Sequence, residues 1–315
     1  MKKIENPNTT PIAIDEIREQ IRAVVDSYYD LQKIRVSYGN RIFAAFKDSA
    51  GQEEVDKLLK DIVSEYKLVV DALVKNPNIR VTTFIKKNDT LRYIKNKFYY
   101  DMLDSYNSVY EAENKAYASI KEVVHQHWLW DAYFKDLLGV GEICAALCIS
   151  YLDIHKARHV SSFWSYAGLG TRVNEKGERV AMSKRALTTR TYIDKDGNEQ
   201  TCKSLGYNPK LHSFLLGVLP SSVFKAGARS NKESKLFECF TDTQNRYMNK
   251  PNYADASKAH IFRIAAREMA KLLLQDLWVI WREHEGYEIS QPYAVEYLGR
   301  APHKYNEFHE RKATV

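Results

Sequence analysis

This sequence is poor in the residues that interrupt or cross-link a chain. Its 315 residues hold 13 glycines, 8 prolines and 4 cysteines. Four thiols (Cys144, Cys148, Cys202 and Cys239) in a chain this long do not make a disulfide framework, and point to a reducing, cytoplasmic setting. No apolar run approaches the length of a membrane span, so no membrane partner is expected. The opening MKKIENPNTTPIAIDEI lacks the apolar stretch of a secretory signal. Neither a Walker loop nor a dinucleotide-binding glycine fingerprint is present, and no cofactor is implied. Cys144-x3-Cys148 with His155-x3-His159 has too short a middle for a zinc finger. The two cysteines sit within an apolar helix and read as buried structural residues. His125 and His127, two apart on a helix, do not face one another, and the late acids are scattered, so no metal site is expected.

Scarce breakers leave room for long helices. Ile14, Ile17, Ile21, Val24, Tyr28 and Leu31 repeat at alternating spacings of three and four, the seam of a coiled coil or helical bundle. Gly39 weakens the repeat, Ile42, Ala45 and Phe46 extend it, and 48–51 reads as a break. A second helix is expected over 53–75, with Val55, Leu58, Ile62, Tyr66, Val69 and Leu73 on one face and Pro77 as its stop. A third spans 88–134, capped by Asn88 or Asp89, with a stripe from Leu91 and Ile94 through Phe98, Met102 and Tyr106 to Ile120 and Val124. Helices of that length need partners, so residues 1–134 read as a bundle or coiled-coil arm. The aromatic run after Val124 reads as the joint between this arm and a second domain.

The stretch LLGVGEICAALCISYLD, 137–153, has the pattern of a helix-hairpin-helix. Gly139 and Gly141 suit a turn too tight for side chains, and the next helix would open with unpaired N–H groups that favour a phosphate. Ser161 or Ser162 can cap a short helix that AGLG terminates. Two β-hairpins are expected next, one turning at Lys176-Gly177 and one at Asp196-Gly197. A helix over 209–224, which Pro220 breaks or restarts, precedes a long amphipathic helix over 254–285 that ends at Gly286. The reading is therefore mainly α: an arm over 1–134, an α-rich domain over 135–290 with small β-hairpins, and a tail over 291–315.

The formal charge is +7, yet residues 156–235 alone hold 15 Lys plus Arg against 6 Asp plus Glu, a net of +9. Positive charge concentrated after the glycine hairpin suits neutralisation of backbone phosphates. Arg172, Lys184, Arg185 and Arg190 in the hairpins, with Lys225 and Arg229 beyond them, are the candidate phosphate contacts.

The order LLGVGEICAALCISYLDI, FWSYAGLG, basic hairpins, YNPKLHSFLL and KAHIFRIAAREMAKLLL resembles the C-terminal domain of one group of insertion-sequence transposases. That group includes the bridge-RNA-guided recombinases and the pilin-gene invertases. The box Tyr166-Ala167-Gly168-Leu169 carries the resemblance most specifically, and its extent is about residues 135–285. The resemblance implies DNA binding and recombination, structured RNA as a further partner, and a homo-oligomer formed through the helical arm. It also implies a serine nucleophile ten residues after the leucine matched by Leu211, which is Ser221, with Ser222 as the alternative register. His212 stands where the family has arginine, and Pro220 enters just before the serine. The family's RuvC-like nuclease domain has no counterpart in residues 1–134, which resemble only the coiled-coil segment between the two family domains. An active enzyme of this kind would need a nuclease partner in trans. The competing expectation is a non-enzymatic, architectural DNA-binding protein derived from a transposase.

Overall fold

The computed structural model describes residues 11–50, 55–173, 177, 179–181, 187–195, 197–291 and 299. The expectations for residues 1–10, for the turn residues Lys176 and Asp196, and for nearly all of the tail lie outside them. The chain is mainly helical. It divides into two compact units, one comprising residues up to Arg22 together with those from Val123 onward, the other Ala23–Glu122. These boundaries differ from the single division expected at residue 134.

The unit over 23–122 contains most of α1 (Pro11–Ala50), α2 (Val55–Lys75), α3 (Val81–Lys87) and most of α4 (Lys97–Gln126). The three-four spacing of α2 does what its pattern dictates: Leu58, Ile62, Tyr66 and Val69 are buried, and Ile42 and Phe46 of α1 join them in one core. Helix α1 runs unbroken through Gly39. The stretch 88–96 departs from expectation, because the long helix begins at Lys97 rather than at Asn88. The Glu65 carboxylate accepts the backbone N–H groups of Arg92, Tyr93 and Ile94 at 2.7, 2.8 and 2.6 Å. Asn96, not Asn88 or Asp89, receives the N–H of Tyr99 as the cap. Leu91, Tyr93 and Ile94 therefore enter the core from a non-helical segment, while Phe98, placed on the stripe by its spacing, is 67% exposed. Inside the unit, Arg35 bridges both carboxylate oxygens of the buried Glu113.

The other unit is organised around two helices that have almost no exposed face. In α6 (Glu142–Tyr151) every residue from Cys144 to Ser150 is buried. In α11 (Lys258–His284) burial is continuous from Leu272 to Val279, the behaviour of an apolar helix enclosed by others. Ser257 caps α11 through His260 N–H, and Gly286 at φ +72° ends it. Side chains from around it reach its carbonyls: the Tyr133 hydroxyl donates to Leu273 and the Trp164 indole to Lys271. Trp278 and Arg282 of α11 both donate to the Ala157 carbonyl, at 2.8 and 3.2 Å. The buried C-terminus of α6 leaves acceptors without intrahelical partners. Arg18 of α1 donates to Ile149 and Leu152 there, at 3.1 and 2.6 Å, and Arg22 donates to Ser150.

The expected continuous helix over 88–134 also ends early. His127 leaves the helical path, and its Nδ1 accepts the Leu129 N–H to start α5 (Trp128–Ala132). Helix α7 (Val160–Tyr166) begins after His159, without a side-chain cap from Ser161 or Ser162. Two separate antiparallel pairs follow, β1 (Thr171–Val173) with β2 (Arg179–Ala181) and β3 (Leu187–Ile193) with β4 (Glu199–Leu205). The second pair closes through Asp194 N–H to Asn198 O, with Gly197 at φ +83°.

Beyond them, α8 (Pro209–Ser213), a widened π-type turn over 214–218 and α9 (Leu219–Arg229) form one helical path. Pro220 neither breaks nor restarts the helix. Proline has no N–H to give and crowds the carbonyl four residues back, and the wide turn, closed by Leu219 N–H to Phe214 O, relieves both. Helix α10 (Lys235–Met248), for which the sequence raised no expectation, packs along α11 and is tied to it by the Lys235–Asp276 ion pair at 2.9 Å.

Glycines in these helices differ in what they permit. A Cβ at Gly227 would lie 2.3 Å from Phe237 Cγ, whereas one at Gly39 would meet nothing nearer than Tyr106 at 3.7 Å. Gly227→Ala is expected to destabilise by about 1–3 kcal/mol through overpacking, and Gly39→Ala to stabilise by about 0.5–1 kcal/mol. Urea unfolding of the two variants against the parent checks both signs. A second expectation concerns pH. Burial above all, with the charges of Arg18 and His284, pushes the His127 imidazole down to about 4. The unfolded chain then binds a proton that the folded chain refuses, so this term is absent above about pH 6.5 and erodes stability as pH falls towards 4. Relative to His127→Asn, which keeps an acceptor for Leu129 N–H, the parent should lose about 2 kcal/mol between pH 7 and pH 5.

Candidate nucleic-acid interface

The hairpin over 137–141 begins as the turn Phe134–Asp136 ends, and Val140 N–H closes it on Leu137 O at 3.1 Å. Gly139 adopts φ +77°, the left-handed region where side chains are strained. Gly141 does not: at φ −102°, ψ −177° it is extended, caps α6, and has open space where a Cβ would stand. The expectation that both glycines are conformationally required is corrected to Gly139 alone. That glycine has a second constraint. A Cβ there would lie 2.5 Å from Val223 Cα and 2.8 Å from both Ser222 O and Val223 N. The hairpin is thus seated directly on the backbone of α9, one residue from Ser221.

Helix α9 buries Leu219, Pro220, Val223 and Gly227 and turns its other side outward. Ser221 is half-buried there, while Ser222, Lys225 and Arg229 are exposed. At 100° per residue these four fall within one 100° sector, so the helix brings together the candidate nucleophile and both candidate cations, while Gly139 meets the same helix at Ser222 and the buried Val223. The first turn of α6 carries its own carboxylate, Glu142, 3.6 Å from His125 Nε2.

The remaining candidates are not gathered there by any described contact. Arg172 stands on β1 opposite Val180, and Arg190 on β3 opposite Cys202. Lys184 and Arg185 lie outside the described residues. Charge also divides unevenly, because in the β3–β4 ribbon Arg190, Lys195 and Lys203 are offset by Asp194, Asp196 and Glu199. The excess comes from the first hairpin with its flanks and from the helices after Tyr207.

The Tyr-Ala-Gly-Leu box forms a clasp. Gly168, at φ +69°, ends α7, with Leu169 N–H returning to Trp164 O at 2.7 Å. A Cβ on it would meet Tyr207 at 2.7 Å and His212 at 2.8 Å. Asn208 N–H donates to Tyr166 O at 2.7 Å, and the His212 Nδ1–H donates to Ala167 O at 2.9 Å. Burial, opposed by that hydrogen bond and assisted by Arg267, holds the His212 imidazole below its ordinary range. The His212 side chain thus fastens α8 to the backbone at the end of α7.

The four residues of the zinc-like pattern do not converge. Cys144 and Cys148 are buried free thiols, and the hydrogen bond from Cys148 together with burial pushes the Cys144 thiol up. His155 meets the Tyr287 hydroxyl at 2.7 Å and His159 meets Ser290 at 3.1 Å. Among the described residues no group of three or more His, Cys, Asp or Glu can hold a metal.

Sequence reasoning missed a neighbouring groove. Arg22 of α1 comes beside Tyr151, with the guanidinium carbon 5.6 Å from the ring centroid. Its seam-like spacing marked this part of α1 for its apolar residues only. No local signal pairs residue 22 with residue 151; only the unpartnered carbonyls at the end of α6 call for a donor.

Compared with protein-family models, with curated proteins and with solved structures, the chain matches none of them.

Proposed function

We propose that this protein binds DNA as a relative of the insertion-sequence recombinases, through a helix-hairpin-helix in which the 137–141 turn and the outer face of α9 act as one phosphate-facing surface. The observation that carries the reading is the seating of Gly139 on the α9 backbone at Ser222–Val223, in the helix whose exposed side carries Lys225 and Arg229. Gly141, with open space where a Cβ would stand, leaves the start of α6 bare for a phosphate, and two exposed cations on α9 supply the charge. Arg172, Lys184, Arg185 and Arg190 extend the contact along the duplex, and a structured RNA is the second polyanion such a surface accepts.

In the enzymatic form of this reading, Ser221, or Ser222 in the alternative register, attacks a phosphodiester. The hydroxyl proton passes to a base, the new Ser–O–P bond forms, and the bond to the departing sugar oxygen breaks. The second form is a binding or architectural protein; in the first, a nuclease partner would supply the metal-dependent groups in trans. The arm is the proposed oligomer contact. In the 23–122 unit, Leu59, Val63, Tyr106 and Tyr110, together with Lys60, Ser64, Lys67 and Asn107, line a hollow of about 470 Å³, and Leu68 is 65% exposed. No helix among the described residues is long and apolar enough to cross a membrane.

The test is retention of labelled duplex and branched DNA over a salt series, each sample split between native and denaturing gels. Affinity should fall steeply with salt, and Lys225→Ala and Arg229→Ala should each weaken binding across sequences and lower the salt slope by about 1. A covalent band lost in Ser221→Ala with binding intact selects the recombinase. Salt-dependent binding without that band selects the binding protein, and no retention of any DNA contradicts the proposal.

A further inference from the structure

Two cavities on the unit containing α6 share a wall. One, of about 320 Å³, is lined by Arg22, Tyr151, Lys156 and Tyr166 among others, and the next, of about 300 Å³, by Tyr151, Tyr166, Tyr207 and Lys210. Because Tyr151 and Tyr166 belong to both, the cavities are successive bays of one groove. Its rings are held rather than loose. Tyr166 is 41% exposed, yet its carbonyl accepts from Asn208 N–H at 2.7 Å and its hydroxyl from the Asn208 amide at 3.3 Å. Tyr151 lies under the Arg22 guanidinium, and Tyr207 rests on His212 with centroids 4.9 Å apart. Arg22, Lys156 and Lys210 are exposed along the groove. Among the described residues Asp153 is the one carboxylate lining either bay; Lys156 pairs with it at 3.1 Å but stays exposed, and the groove keeps a net positive charge.

Flat phenol faces interleaved with cations fit one kind of ligand better than others. A duplex keeps its base faces inside the stack and offers phosphates alone. An acidic peptide would use the cations and leave the rings idle. An unpaired strand presents bases for stacking and a phosphate at every residue, which matches both features. We infer that this groove holds an unpaired stretch of nucleic acid, with bases on Tyr166 and its neighbouring rings and phosphates on Arg22, Lys156 and Lys210. The inference rests on the nucleic-acid reading above and adds a site separate from the α9 face. Single-stranded DNA and the loop of a structured RNA share this chemistry.

Fluorescence anisotropy on the full chain tests it, with labelled oligothymidylate, labelled oligouridylate and a labelled duplex at about 0.1 M salt. Binding of either single strand is expected, with oligouridylate preference assigning RNA and oligothymidylate preference assigning DNA. Tyr166→Ala should weaken single-strand binding about five- to a hundredfold, Tyr166→Phe should restore it, and duplex binding should be unchanged in both. Should Tyr166→Ala lower thermal stability, Lys156→Ala, altering an exposed side chain, should still weaken single-strand binding severalfold. In parallel, a halogenated pyrimidine strand should photocrosslink to peptides containing Tyr151, Tyr166 or Tyr207. Duplex binding without single-strand binding, or single-strand binding indifferent to both Tyr166→Ala and Lys156→Ala, overturns this inference alone. Loss of all binding by the parent chain overturns the wider reading with it.

Discussion

The candidate site depends on one close approach, that of Gly139 to the backbone of α9. A left-handed φ and a neighbouring main chain with no room for a Cβ make two independent demands on the same residue, and only glycine meets both. The consequence reaches beyond packing. Side chains between two elements let them slide, whereas main chain on main chain fixes their separation. The turn ahead of α6 and the outward face carrying Ser221, Ser222, Lys225 and Arg229 are held in one geometry by that contact.

Behind it stands a frame of two enclosed helices. Apolar residues on every side of α6 and α11 favour burial, but burial strands backbone acceptors wherever a helix ends. The chain answers with long donors from distant positions: Arg18 and Arg22 at the end of α6, and Trp278 and Arg282 at Ala157 just beyond it. The arginine bonds, being charge-assisted, contribute about 1.5–3 kcal/mol each, and losing those of Arg18 leaves buried carbonyls unsatisfied. The same necessity places Arg22 beside Tyr151, so a structural requirement also sets a cation at the groove's edge.

What the sequence made legible depends on the range of the forces involved. The spacing of Leu58, Ile62, Tyr66 and Val69, the glycine turns of the β-ribbons and the stop at Gly286 are local signals, and each element stands where they put it. Long-range contacts changed the rest. Leu91 and Ile94 continue the arithmetic of a helix, but Glu65, distant in sequence, captures their segment's N–H groups and holds it out of helical form. His127 prefers to cap α5 over extending α4. In α1, Val25 rather than Val24 is fully buried, a one-residue shift that a three-four repeat tolerates. At the candidate site, Gly139 and the α9 residues were nameable from sequence. Their contact was not, since no periodicity relates residue 139 to residue 223.

Hydrogen exchange measured by mass spectrometry on the full chain, with and without duplex DNA, addresses the central claim most directly. If the hairpin and α9 form one phosphate-facing surface, duplex should slow exchange together in peptides covering 137–143 and 219–229, and the effect should fade as salt rises. Protection confined to other parts of the chain, with both of these segments unchanged, would contradict the account.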